Sequence, residues 1–181
     1  MIDSRFFVDV MEEIVSDVRA EYDTSNGLEP YFIFGHPVEI AKRLSLKDQN
    51  AVDKFRKFPL IALLTDITES HDLPQLKDYV VNFTAIIVTN TNKNYKSVER
   101  YTNVFKPVLY PIYEKLIQKM EESSYIHFKG NVTHNKIDRL FWGAEAVNGN
   151  TGLIFNQYLD AIQLNFTNVR IVNNYEAFCN D

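Results

Sequence analysis

The residues able to do chemistry are few, and most stand alone. Four histidines and one cysteine occur in 181 residues, and six glycines are scattered singly. A phosphate-cradling loop needs glycines at fixed offsets opening a helix, and no such spacing is present. A serine nucleophile elbow and a paired-histidine metalloprotease motif are missing as well. The densest polar cluster is Asp66, Glu69, His71 and Asp72. Carboxylate oxygens and an imidazole could hold a divalent cation. Such sites need rigid supports, however, and these residues read as a solvated acidic loop, so no metal or cofactor is expected. His36, in Gly35-His36-Pro37, sits at a strand-to-helix turn where catalytic groups often lie. It has no carboxylate or nucleophile partner nearby in sequence, and a turn role is the simpler reading. His127 reads as a strand residue, His134 as part of a polar loop, and Cys179 as a passive thiol near the terminus.

One cluster carries charge of a single sign. Lys93, Lys96, Arg100 and Lys106 surround a helix start, with Tyr95 and Tyr101 interleaved. Such a patch could meet a phosphate backbone or the acidic surface of a protein. Lys plus Arg number 19 against 24 Asp plus Glu, a net charge of −5. That balance favours the protein partner, since a chain gripping DNA over its surface leans basic. The same count disfavours an anionic membrane as partner.

The elements that must position these residues follow from apolar spacing. Phe7, Val10, Met11, Ile14 and Val18 define one face of an amino-terminal helix, with Asp3 or Ser4 available as its cap. Asn26-Gly27 stops it. Tyr31–Phe34 and Pro59–Leu64 are short buried strands, the second apolar on both faces and therefore central. Pro37 opens a second helix. Tyr79–Thr89 is a longer strand, preceded by a projecting loop from Asp66 to Leu76. Ser97 can cap a helical region reaching Ser123, which Pro107 and Pro111 should break or kink near Phe105. Tyr125–Phe128 is a short strand, 130–156 is loop-rich with a turn at Asn148-Gly149, and Leu159–Val172 alternates as the last strand.

Apolar residues make up 45% and aromatics 13%, including 13 Phe and 10 Tyr, enough for a packed core. One cysteine excludes a disulfide framework. The amino terminus alternates charged and apolar residues from Asp3, unlike a secretory signal. Three Asn-X-Thr triplets, at Asn82, Asn131 and Asn165, therefore say nothing of glycosylation. The expected architecture is a single α+β domain: a mixed, mostly antiparallel sheet from segments near 31–34, 59–66, 79–89, 125–128 and 159–172, with helices packed on one face. Residues 1–22 form the amino-terminal helix, 31–172 the core and 173–181 a tail.

Several stretches carry a family likeness. They are Phe58–Leu63, Ile86–Thr89, Tyr95–Tyr101, Phe105–Tyr113, Asp138–Gly143 and Tyr158–Ile162. Together they resemble neck and tail-completion proteins of tailed bacteriophages, of the tail-terminator type, especially in phages of Bacteroidetes hosts. The neck rings of crAss-like phages reuse related folds. The likeness spans Tyr31 to Val172 and rests on packing and turn motifs.

It implies a virion protein assembled in the host cytoplasm, with no enzymatic activity. Its partners would be copies of itself in a six- or twelvefold ring, connector rings on the portal side and tail tube proteins, while DNA passes through unbound. Lys96, Arg100 and Lys106 are then expected to meet Asp66, Glu69 and Asp72 of an adjacent subunit. Arg139, Phe141 and Trp142 are expected as loop or interface anchors, with a core plug as the other role for Trp142. Two rival classes remain: an enzyme or small-ligand domain using His36, and a nucleic-acid-binding regulatory domain using the basic helix start.

Overall fold

Two long strands carry the fold of this chain. The computed structural model describes residues 6–22, 29–49, 57–71, 78–127, 134–142, 144–147, 150–153 and 158–172. Within it, Asp78–Asn90 (β4) and Leu159–Val172 (β9) pair antiparallel from Asp78 opposite Val172 to Asn90 opposite Leu159. Both are rich in β-branched and aromatic residues, which pack well on a pleated surface. Leu60–Leu64 (β2) and Thr68–His71 (β3) line the other edge of β4 in succession, and Tyr31–Gly35 (β1) joins β2 in parallel. Beyond β9 lie Ile126–His127 (β5) and His134–Arg139 (β6), both antiparallel to it. Among the described residues this is a seven-stranded mixed sheet. Ala144–Val147 (β7) and Asn150–Leu153 (β8) form a separate hairpin. The turn expected at Asn148-Gly149 lies outside the described residues, as do Asp3, Ser4, Asn26, Gly27, Asn131, Cys179 and the 173–181 tail.

Alternation along β2 divides the core in two. Ile61 and Leu63 join Val81, Phe83, Ala85 and Ile87 of β4 and Ile162, Leu164 and Phe166 of β9 on one face. That face is covered by Phe7–Glu21 (α1) and by a long helical region, as expected. Leu60 and Ala62 point the other way, joining Ile86, Val88, Leu159 and Ala161. This second face is covered by Pro37–Gln49 (α2) through Ile40, Ala41 and Leu44. Helices on one face alone is therefore incomplete: α2 packs opposite α1, because the β1–β2 edge is apolar on both sides and needs two covers.

The long helical region has three parts: Ser97–Arg100 (α3), a π-helix over Tyr101–Leu109, and Tyr110–Glu122 (α4). Pro107 lacks an amide proton and would crowd the carbonyl four residues earlier in a regular α-helix. The chain accommodates it by widening to π geometry, in which the Tyr110 amide donates to the Phe105 carbonyl. The predicted break is thus a widened stretch without interruption. Ser97 is the first helical residue and not the cap; the Lys96 amide donates to Glu99 Oε2 at 2.8 Å.

The stretch expected as a projecting loop contains a strand. Its residues 68–71 form the exposed strand β3, carried on β4 by register pairs such as Glu69 with Val81. All four are polar, so the sequence lacks the apolar alternation that marks a strand. Opposite, a bulge between Val81 and Phe83 is matched by Asn168 at φ 58°, whose amide donates to Asn82 Oδ1 at 2.8 Å. At the centre, Phe83 stacks on Phe166 and Phe7 meets Phe83 at a tilt, with ring centroids 4.6 Å apart in each contact. Phe83→Ala should cost about 3–5 kcal/mol of stability through the cavity left behind. Urea denaturation measures this, and a loss under about 1 kcal/mol would contradict a close-packed stack.

Candidate functional site

After Asn90 the chain must leave the sheet and start a helix within a few residues. Asn92 does this locally: its side chain accepts from the Asn94 amide at 3.0 Å and its carbonyl from the Tyr95 amide at 3.1 Å. The helix then begins at Ser97, which turns Arg100 back beneath the turn. Asp160 is the second residue of β9, on the same face as Ile162, Leu164 and Phe166, and so points at the helices. The two side chains meet there, 1% and 0% exposed, with Arg100 Nη1 donating to Asp160 Oδ1 at 2.6 Å. Arg100 Nε donates to the Tyr95 carbonyl at 3.0 Å, Nη1 also to Thr91 Oγ1 at 3.3 Å, and Nη2 to the Asn92 carbonyl at 3.2 Å.

The turn after β6 closes over this pair. The Phe141 amide donates to Asp160 Oδ1 at 3.1 Å, and its ring covers the Arg100 guanidinium at 3.7 Å. Phe141 has φ 53°, a left-handed conformation that costs a bulky residue on the order of 1–3 kcal/mol. The carboxylate hydrogen bond, the stacked cation and an edge-on contact with Tyr158 at 6.0 Å hold it there. The next amide, of Trp142, donates to the Leu159 carbonyl at 2.8 Å. Asp160 Oδ2 is buried and has no donor among the described residues, which leaves Arg100 as the cation that makes this burial tolerable.

A second tie fixes β6 to the helices. Tyr110 donates from its hydroxyl to Asp138 Oδ2 at 2.8 Å, and burial together with that carboxylate pushes its pKa up to about 12. Lys136 lies over the Tyr110 ring at 4.5 Å and pairs with Asp138 at 2.6 Å. The Tyr113 hydroxyl and His134 Nε2 are 2.9 Å apart, and His134 stacks on Phe166 at 5.2 Å. Burial keeps the His134 pKa below its ordinary value and raises that of Tyr113.

The residues expected to form a subunit interface separate into groups. Lys96 and Lys106 are exposed at the helix start and on the π-helix. Arg100 does not join them: it is buried within its own chain and paired with Asp160, so it cannot meet an acid of an adjacent subunit. Asp66 and Glu69 are exposed near and on β3, with Glu69 Oε2 3.3 Å from His71 Nε2, while Asp72 lies outside the described residues. Arg139 is exposed and donates to Gln163 Oε1 at 3.1 Å. Phe141 is 37% exposed above Arg100. Trp142 is half-buried against the α2-side core, the plug role given as its other reading.

Asp160 was missed by sequence reasoning, although a signal existed: a lone carboxylate on the apolar face of an alternating strand requires a buried cation. Among the described residues no three metal-ligand side chains cluster, and no helix is long and apolar enough to cross a membrane. His36 is exposed, and its Nδ1 accepts from the Val38 amide at 3.3 Å, the behaviour of a helix cap. A groove of about 300 Å³ between α1 and the end of α4 is lined by Glu13, Asp17, Lys119 and Glu122. Its lysine is already bound to Glu21 at 2.5 Å and Glu122 at 2.7 Å.

No protein-family model matches this chain, and neither does the sequence of any curated protein.

Two outcomes follow from this geometry. Breaking the buried pair from one side, with Asp160→Asn or Arg100→Met, should cost about 3–5 kcal/mol in chemical denaturation, whereas Arg100→Met combined with Asp160→Leu should recover much of it. A single-variant loss under about 1 kcal/mol would contradict the pair's role. Because burial lowers the folded-state pKa of His134, the unfolded chain takes up its proton first, and stability falls as pH drops below about 6.5. The Glu21 and Glu122 carboxylates, held low by hydrogen bonds from Lys119, contribute separately below about 4.5. Thermal melts from pH 7 to 5 should therefore slope less in His134→Gln, and an unchanged slope would refute the assignment.

Proposed function

We propose that this chain is a structural subunit that assembles head to tail with copies of itself. The observation that carries this reading is the separation of two complementary charged ends. Lys96 and Lys106 stand near the end of β4 that ends at Asn90. Asp66 and Glu69 stand at its other end, with Glu69 at the level of Val81. Arg100 contacts Thr91, so the two ends are about ten residues apart along the strand direction, or roughly 33 Å. Charges that far apart cannot satisfy each other within one chain, but they match when a second copy is displaced along the sheet. A contact between two different patches of identical subunits closes into a ring or continues as a filament.

The closed form agrees with the resemblance of the packing motifs to phage neck and tail-terminator proteins. We therefore read the chain as a ring subunit at a bacteriophage head-to-tail junction, joining connector to tail, with six or twelve copies. The net charge of −5 suits a bore that lets DNA pass without gripping it.

Mass photometry across a salt series tests the electrostatic part. Lys96→Glu with Lys106→Glu should weaken assembly at least about tenfold, and adding Asp66→Lys with Glu69→Lys should restore it. Unchanged oligomer size in the double variant would contradict the proposed contact. Steeply salt-dependent DNA binding by the unaltered chain would favour a nucleic-acid role instead.

A further inference from the structure

The same two ends differ in shape as well as charge. At the basic end, Val98 is 76% exposed and Tyr101 51%. They are three residues apart on the helical region and therefore neighbours on one face. The Tyr101 ring meets Tyr110 edge-on at 5.9 Å, and Tyr110 is tied to Asp138 of β6. Leu140 and Phe141, in the turn following β6, are also exposed, and Phe141 lies on Arg100, which is adjacent to Tyr101. These four exposed apolar side chains stand at the end of the sheet where Lys96 and Lys106 also lie, with Lys136 and Asp138 at Tyr110. Glu99 adds one negative charge beside them, its carboxylate accepting from the Lys96 amide at 2.8 Å.

At the acidic end one large apolar side chain projects among the described residues. Phe6, 70% exposed, precedes α1, and its carbonyl accepts from the Asp9 and Val10 amides at 3.0 and 3.2 Å. Asp9 is close enough to β4 that its charge, with that of Glu69, helps burial push the Tyr79 pKa up to about 12. Phe7 lies on Phe83, on the β4 face that Glu69 shares through its pairing with Val81, so Phe6 is an aromatic knob at the end of the sheet that carries Asp9 and Glu69, where His71 stacks on Tyr79. Its neighbour Phe7 is locked into the central stack, so the backbone carrying the knob is fixed.

We infer that Phe6 is the apolar anchor of the head-to-tail contact, seated on the Val98, Tyr101, Leu140 and Phe141 patch of the next copy. The inference rests on the self-assembly reading and names the residues that supply its desolvated centre. The balance of charge differs in sign between the two surfaces: Asp9 and Glu69 stand at the end that carries Phe6, whereas Lys96, Lys106 and Lys136 outnumber Glu99 and Asp138 at the patch. Aromatic anchors in apolar seats carry most of the free energy of such contacts, while rim charges set orientation and rate. Phe141 acquires a function here that explains its strained turn. Holding it at positive φ over Arg100 presents one edge of the ring, with Leu140, to the incoming side chain.

A mixing experiment on the full chain tests this. Phe6→Ala lacks the knob and keeps the patch; Val98→Asp spoils the patch and keeps the knob. Both sites are exposed, so thermal melts of each variant should match the parent. Each variant alone should be monomeric in native mass spectrometry where the parent assembles. An equimolar mixture should give a heterodimer and nothing larger, because one productive contact remains per pair. If the parent and Phe6→Ala form the same oligomer, or if the mixture stays monomeric while the parent assembles, the inference is overturned and the self-assembly reading stands. A monomeric parent overturns both.

Discussion

The buried pairing of Arg100 with Asp160 is the constraint on which this molecule's upper end depends. It ties the start of a long helix to the second residue of the β9 strand, 60 residues later in the chain. Arg100 also takes the carbonyls of Tyr95 and Asn92, so one guanidinium satisfies the turn, the helix entry and the strand together. A hydrophobic pair of equal volume could supply comparable stability. It could not hold the Phe141 amide, nor offer a flat cation for the Phe141 ring. The ionic pair thus specifies the position of a surface turn, which a purely apolar core would leave undetermined.

From that point the fold reads as a device for keeping two surfaces apart and rigid. The β4–β9 pairing is long, its core face is filled by stacked phenylalanines, and α1 crosses it with Phe6 at one end. The π-helical widening around Pro107 lets one continuous helical region run from the buried arginine to Tyr110 and Tyr113, which bind Asp138 and His134 of β6. Tyr110, Tyr113, Lys136 and Asp138 then fasten β6, so the turn at 140–142 is anchored from both sides. Rigidity of this kind is what a repeated assembly contact requires, since each copy must present the same geometry to the next.

Much of the fold was legible because apolar periodicity is written directly into strands such as 59–64 and 159–166. The α+β class, the single mixed sheet and the helices over 7–21 and 97–122 follow from that pattern. What stayed hidden depends on tertiary partners. Thr68–His71 is a strand only because β4 extends beyond β2 and offers it an edge; its own residues are all polar. The second face needs α2 because β2 is apolar on both sides, and which helix supplies that cover is set by tertiary packing. By sequence Arg100 groups with its neighbouring lysines as surface charge, and only the position of Asp160 on the inner face of β9 reverses that. Charge type is local information; burial is not.

The most direct measurement of the central claim is the stoichiometry of the intact chain by native mass spectrometry at low ionic strength, with symmetry from electron-microscopy class averages. Head-to-tail association between opposite ends of the sheet predicts a ring or filament that dissociates as salt is raised, and the proposed place in a phage neck predicts the closed form with six or twelve copies. A monomer at every concentration, or a twofold dimer in which like ends meet, would contradict it.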